Sequence, residues 1–468
     1  MSGAPARDIR SDMRPDIRPD IRHVVVLMLE NRSFDCMLGR LRAAGPEFDG
    51  LTGNETNGLH DAAGAVQTIP VWSSAELTAQ AATIPDPDPG EKFTDIAMQI
   101  AGLSGAAPMG GFVDNYMRQP GAGPRDPRAV MHGFTPEQLP ALSGLARAFG
   151  LSDRWFASAP CQTWPNRFFA HCGTAGGFVN NAPERLPFEM PSVFNRLEEK
   201  KCRWRLYFHD FPQAAALSGL WGDVPAHFRR FDEFGRDAAA GRLPEYAFIE
   251  PRYFADFLSG EMPNDQHPPH DVAYGEALIA AVYAAVRGGP DWRRTLLVIT
   301  YDEHGGCYDH VPPPAAVSPG GPYPDGFRFD RFGVRVPAVI VSPYVRPGSI
   351  LRPRGAIPFD HTTIIATLGA LFGIGPLTAR DAAAPGLLDL LDGEPVNDGP
   401  AEIAARPVPK PGRAAVAAVG ARPPNDLQAS LRAAAVHLPA IAAVPVAARI
   451  EGAVEFVAAR VKAFLGEV

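Results

Sequence analysis

Secretory leaders, membrane spans, cysteine pairs and lysine are scarce or missing in this chain, and each shortage narrows what it can be. Residues 1–20 repeat Asp, Ile, Arg and Pro around no apolar core, so they read as a polar tail and not as a secretory signal. A cytoplasmic location follows by default, with export by another route left open. The greasy stretch Ala433–Ala448 is interrupted by His437, Pro439 and Pro445 and is too short to span a bilayer. Cys36, Cys161, Cys172, Cys202 and Cys307 are odd in number and include no CxxC pair, which argues against a zinc knot or a disulfide scaffold. Five of the 44 basic residues are lysine; the rest are arginine, which grips phosphate through a planar fork. A net charge of −8 gives nucleic acid and anionic membranes no average attraction. The GxSxG elbow, the GxxxxGK loop, HExxH and the dinucleotide glycine fingerprint are all missing, so serine-hydrolase, nucleotide-motor, zincin and dehydrogenase readings lose ground.

What is present is an ordinary globular composition, 46% apolar and 21% charged over 468 residues. Two short runs, His23–Leu29 and Thr295–Tyr301, are continuous in β-branched residues and leucine. Such runs predict strands buried on both faces of a parallel sheet. Each leads into oxygen ligands, Glu30-Asn31 and Asp302-Glu303. In open α/β sheets chemistry collects beyond the carboxyl ends of the strands, so these four side chains can share one crevice and hold a hard cation. Trp204–Phe208, Tyr246–Glu250 and Val334–Val341 predict further strands; Leu139–Phe149, Phe168–Cys172, Val272–Arg287 and Thr362–Phe372 predict helices. The expected organisation is a tail (1–20), a catalytic domain (21–384) with a loop-rich insertion that can act as a lid (41–127), a Pro/Ala/Arg-rich linker (385–426) and an amphipathic helical segment (427–468). That last segment either packs back on the body or mediates self-association.

A cation beside a hydroxyl suggests phosphoester chemistry. Thr163 sits in the proline-punctuated loop Pro160–Arg167, where coordination would make its hydroxyl a usable nucleophile. Ser152, Ser158 and Thr174 are nearby competitors. Arg167 is placed to clamp a phosphoryl oxygen, with Asn166 beside it. Read as ordinary structure, the same segment is a helix cap with its arginine in solvent. His267 and His270, His304 and His310, and His361 cluster among acids and glycines, as proton carriers or phosphate ligands would. His132 and His171 are possible outer members; His23, His60, His209, His227 and His437 are read as packing or surface groups. Phe112, Phe134, Phe168, Phe169, Phe254 and Phe257 can line an apolar approach or simply anchor loops.

Taken together, Glu30-Asn31-Arg32-Ser33-Phe34-Asp35, Thr163-Trp164-Pro165-Asn166-Arg167, His267-Pro268-Pro269-His270-Asp271 and Thr300-Tyr301-Asp302-Glu303-His304-Gly305-Gly306-Cys307-Tyr308-Asp309-His310-Val311 resemble the bacterial phosphoesterase family. That family holds non-specific phospholipases C and related acid phosphatases, and the likeness covers roughly residues 21 to 375 in the same order. It implies an α/β fold like that of alkaline phosphatase, a central mainly parallel sheet sandwiched by helices. It also implies one divalent metal (Ca, Mg, Mn or Zn) on Glu30, Asn31, Thr163, Asp302 and Glu303, with Thr163 forming a phospho-threonine. His267, His270, His304 and His361 would then bind phosphate or protonate the leaving group, their shares left open, while Arg167, Asn166 and His310 would contact the phosphate. The implied substrate is a phospholipid. A broad acid phosphomonoesterase is the alternative, and an inactive metal-binding scaffold the alternative of a different class.

Overall fold

The computed structural model describes residues 19–102, 108–120, 124–256, 259–408, 410–439 and 453–467. The tail up to residue 18, Phe257 and the part of the C-terminal segment from 440 to 452 fall outside the described residues. The strands are β1 (His23–Leu29), β2 (Thr56–His60), β3 (Val66–Pro70), β4 (Gly150–Ser152), β5 (Trp204–Phe208), β6 (Phe228–Arg230), β7 (Tyr246–Glu250), β8 (Thr295–Tyr301), β9 (Ala338–Val341) and β10 (Ser349–Ile350). β2 and β3 form a separate hairpin, and the other eight make one sheet in the order β10-β4-β9-β8-β1-β7-β5-β6. Within that sheet the β4–β9 and β8–β9 pairings are antiparallel and the other pairings are parallel. The chain is therefore an α/β protein with a mainly parallel sheet between helices, as expected.

Every residue of β1 and β8 is buried, because helices cover both faces of the sheet. Their ladder runs without a slip from His23 opposite Thr295 to Leu29 opposite Tyr301. Both strands thus end at the same level, and the next residues, Glu30 and Asp302, emerge side by side. The helix Val272–Gly288 is capped by the Asp271 carboxylate, which accepts the Ala273 N–H, and it packs on β1 and β8.

Two elements differ from the expected limits. The helix expected from Phe168 begins at Thr163, because Pro165 falls in the first turn, where its missing N–H costs nothing. The strand expected from Val334 starts at Ala338. Upstream of it, Arg335 turns into a buried ion cluster with Asp35 and Asp309, and Pro337 has no N–H for a ladder.

The helices Asp426–Ala435 and Ala453–Leu465 place Leu427, Leu431, Val457, Val461 and Phe464 in the main hydrophobic core. The Phe464 ring meets Phe228 with centroids 5.1 Å apart, and Arg230 pairs with Glu467 at 3.0 Å. Among the described residues, no helix is long and apolar enough to cross a membrane.

Candidate active site

The carboxyl ends of β1 and β8 and the start of the helix Thr163–Cys172 meet at one point. The Thr163 hydroxyl lies 3.3 Å from Glu30 Oε2 and 3.5 Å from Asn31 Oδ1. The Asn31 N–H donates to Asp302 Oδ1 at 3.2 Å. Arg167, one turn along the helix, donates to Glu30 Oε1 at 2.5 Å and to the Met28 carbonyl at 3.1 Å, and its Nε stands 3.8 Å from Asp302 Oδ2. Gln213 donates a further hydrogen bond to Glu30 Oε1 at 2.8 Å. Asn31 holds a left-handed φ of 50°, which asparagine tolerates better than most residues. The following motif needs its glycines: Gly305 has φ 61°, and a Cβ there would run into the Asn31 carbonyl, while one on Gly306 would lie 2.5 Å from Pro89 Cβ.

Glu30, Asp302 and Glu303 are wholly buried, as is Glu91, which accepts the Asn31 side-chain N–H at 3.0 Å. Burial pushes the Glu30 and Glu303 carboxyls well above the usual range, only partly offset at Glu30 by Arg167. Burial also works against the charge on Arg167, but Glu30, Tyr253 and Asp302 hold its guanidinium protonated far beyond its ordinary value. Asp302 Oδ2 and Glu303 Oε1 are buried with no hydrogen-bond partner. A group of acids with orphaned oxygens has too little positive charge beside it, and that deficit is what a divalent cation supplies. Glu30, Asn31, Thr163, Asp302 and Glu303 offer only oxygen donors, which fits a hard ion.

Among the described residues, acids and imidazoles also gather with their ligand atoms within 4.8 Å of one another at Asp35–Asp309–His310 and at Asp88–Glu91–His267. The first already contains a cation: Arg335 reaches Asp309 at 2.9 Å and Asp35 at 3.0 Å. The second borders the Thr163 site through Glu91.

The structure separates the expected histidines. His267 is brought to the site: it is fully buried, with Nε2 3.3 Å from Glu91 Oε1. Burial alone would lower its pKa, yet Glu91 and Asp88 raise it well above the ordinary imidazole value. His304 lies between Glu303 (3.2 Å) and the Gln99 side-chain oxygen (2.7 Å), and burial pulls its pKa down to about 3. His361 has both ring nitrogens engaged, with the Asp302 carbonyl at 2.6 Å and the Trp155 indole at 3.3 Å, so it fixes the backbone of a candidate ligand. His270 is held by Asp265 at 2.6 Å and faces a separate cavity.

Two expected phosphate contacts lie elsewhere. The Asn166 amide is spent on the preceding loop, accepting the Ala159 N–H and donating to the Ala159, Cys161 and Gln162 carbonyls. His310 sits between Asp35 (2.7 Å) and Asp49 (3.2 Å), beside Arg335. Burial would lower the His310 pKa, but these carboxylates raise it to about 10, and its hydrogen bond helps hold Asp49 down to about 2. A folded-state pKa above the unfolded value stabilises the fold fully below the unfolded value, and that contribution is lost as pH climbs through the folded one. The stability deficit of His310→Gln in urea titrations should therefore be largest near pH 6 and shrink steadily toward about pH 10. A deficit independent of pH would contradict this.

Glu91, Asp88 and Gln213 were not legible as site residues. The acids stand in Asp86-Pro87-Asp88-Pro89-Gly90-Glu91, a Pro-rich turn with no periodicity to betray burial; the one available signal was three acids alternating with turn residues. Gln213 belongs to a short 3-10 turn pinned by the Glu250 carboxylate, which accepts the Gln213 and Ala214 N–H groups.

A strand-end acid cluster facing a helix-borne hydroxyl and arginine is the layout of a hydrolase acting on phosphoester bonds. Residues 21–375 match the Phosphoesterase family, and the chain belongs to it. It is 39% identical over 386 residues to non-specific phospholipase C6 of Arabidopsis thaliana, covering 79% of this chain and 71% of that protein. With phospholipase C A of Mycobacterium tuberculosis it shares 29% identity over 405 residues, 75% of this chain and 73% of the relative. Among solved structures, the lipoteichoic acid synthase LtaP from Listeria monocytogenes aligns over 81% of this chain and 78% of its own, at 11% identity and a TM-score of 0.37. That likeness is too distant to carry an argument about substrate.

Proposed function

We propose that the chain is a metal-dependent phospholipase C, cleaving a phospholipid to diacylglycerol and a phosphorylated head group through a phospho-threonine at Thr163. The observation that carries this reading is the Thr163 hydroxyl held 3.3 Å and 3.5 Å from Glu30 and Asn31, among acids with orphaned buried oxygens. The names of the relatives support the lipid substrate.

Glu30, Asn31, Asp302 and Glu303, with Thr163, would hold the cation, which when bound acidifies the hydroxyl and offsets phosphoryl charge. Thr163 gives its hydroxyl proton to Glu30 Oε2, which accepts its hydrogen bond at 3.3 Å, as Oγ attacks phosphorus and forms the new O–P bond, while the glycerol oxygen leaves with its bonding electrons. His267, kept protonated by Glu91 and Asp88, gives that oxygen its proton. Arg167 and the N-terminus of the ten-residue helix Thr163–Cys172 stabilise the phosphoryl charge. Water then attacks the phospho-threonine, passing a proton back to His267 as the Oγ–P bond breaks; Thr163 Oγ takes its proton back from Glu30 and the phosphorylated head group is released. Thr163 is only 1% exposed, and the Asp86–Glu91 loop, whose Glu91 bonds Asn31, would act as a lid that moves for entry and then excludes water.

The test compares phosphatidylcholine in mixed micelles with a soluble aryl phosphate. Phosphatidylcholine should show the higher kcat/KM, with phosphocholine released. The reverse order would make the protein a phosphomonoesterase.

A further inference from the structure

We propose that the cavity between the catalytic body and the C-terminal segment is an acyl-chain subsite that takes one fatty-acyl tail of a glycerolipid; this rests on the phospholipase reading above. The cavity encloses about 720 Å³, within the roughly 300–1,000 Å³ typical of small-molecule sites. Phe254, Met262 and Tyr274 form its wall on the body; Ala415, Val419 and Pro423 of the linker, with Arg432 and Val454 of the C-terminal segment, form the wall opposite. Arg422 and Glu455, the charged residues exposed to solvent, stand at its mouth.

The inner end is polar and touches the chemistry. Asn425, which caps the helix Asp426–Ala435, lines the cavity and places its side-chain nitrogen 3.2 Å from His267 Nδ1, which itself faces the Pro268 carbonyl at 2.6 Å. The other ring nitrogen of His267 faces Glu91, which in turn bonds Asn31. Gln428, one turn on, reaches His270 at 3.5 Å. The apolar volume therefore begins directly behind the imidazole that protonates the leaving oxygen. In phospholipase C cleavage the leaving group is the diacylglycerol, so its tails must extend past that proton donor. The Phe, Met, Tyr, Ala and Val side chains of the lining release water to a hydrocarbon chain, beside polar positions at Asp271, Asn425, Gln428 and Arg432.

Two variants fill the cavity from the partly exposed helix Arg413–Gly420, Val419→Trp and Ala415→Phe. The first readout is the ratio of kcat/KM for dipalmitoyl- over dibutyroyl-phosphatidylcholine. Blocking as few as two methylenes, at about fourfold each, should lower that ratio roughly tenfold or more. The second readout is fluorescence of dansyl-undecanoate, which should bind the unmodified protein, be displaced by dioctanoylglycerol, and bind weakly to either variant. An unchanged ratio with unchanged probe binding in a folded variant overturns the subsite, as does a failure of the unmodified protein to bind the probe. If that protein binds the probe but leaves phosphatidylcholine of every chain length intact, the phospholipase reading fails while the acyl site stands.

Discussion

Thr163→Ala should lower turnover of phosphatidylcholine and of an aryl phosphate alike, by roughly 10⁴-fold or more, because nothing else in the site replaces a missing nucleophile. The competitors are poorly placed. Ser158 accepts the His361 backbone N–H, Ser152 accepts that of Arg154, and Thr174 accepts that of Gly176. The fold should survive, since the substitution removes one hydroxyl from a helix start whose remaining contacts persist. A melting temperature within about 2–4 °C of the parent would show that. Thr163→Ser keeps the hydroxyl and should recover much of the rate. Rapid acid quenching of the parent with substrate should leave one phosphoryl group on the peptide carrying Thr163. Full activity in Thr163→Ala, or a phosphoryl group found on another residue, would move the nucleophile.

Removal of the cation comes next in size. Chelation, or Asp302→Ala, should cost about 4 kcal/mol of transition-state stabilisation, roughly a 10³-fold loss of rate. Activity is not the only readout. Burial raises the Glu30 and Glu303 pKa values, so the metal-free site takes up protons that an incoming cation must expel. Metal affinity should fall as pH falls, and calorimetry in buffers of different ionisation heat should detect released protons. The sign for stability follows from the same shift. Carboxyls with raised folded pKa values stabilise the fold below the unfolded value and lose that contribution as pH rises through the folded one. The chelated protein should therefore lose thermal stability toward alkaline pH, and saturating metal should flatten the dependence. Metal content near zero in active, purified protein would refute the assignment.

Much of this arrangement is legible in the sequence. β1 and β8 announce themselves because a strand buried on both faces has no reason to alternate, and an acid directly after such a strand is conspicuous. The helix Val272–Gly288 and the stop at Gly373, with its φ of 68°, follow from apolar spacing and from the left-handed turn a helix end needs. Asn166 shows where such reading ends. It neighbours Thr163 and has the right chemistry for phosphate, yet its amide closes the loop behind it. His310 lies close in sequence to Glu303, but the turn carries its ring to Asp35 and Arg335. Glu91 was hidden for the opposite reason, standing in a stretch where composition alone suggests solvent.

What the sequence by itself determined was chemistry and local geometry: two apolar strands, the oxygen ligands that follow them, a hydroxyl with an arginine one turn away, and glycines where the chain must bend. These depend on neighbours within a few residues, which the order of amino acids specifies directly. Only the tertiary structure decided which of these groups meet. Asn31 and Asp302 lie 271 positions apart and touch because β8 pairs with β1 in parallel and in register. The placing of His267 beside Glu91, of Glu91 beside Asn31, and of the cavity between distant parts of the chain depends in the same way on packing between distant elements, where burial and neighbouring charge decide what each side chain can do.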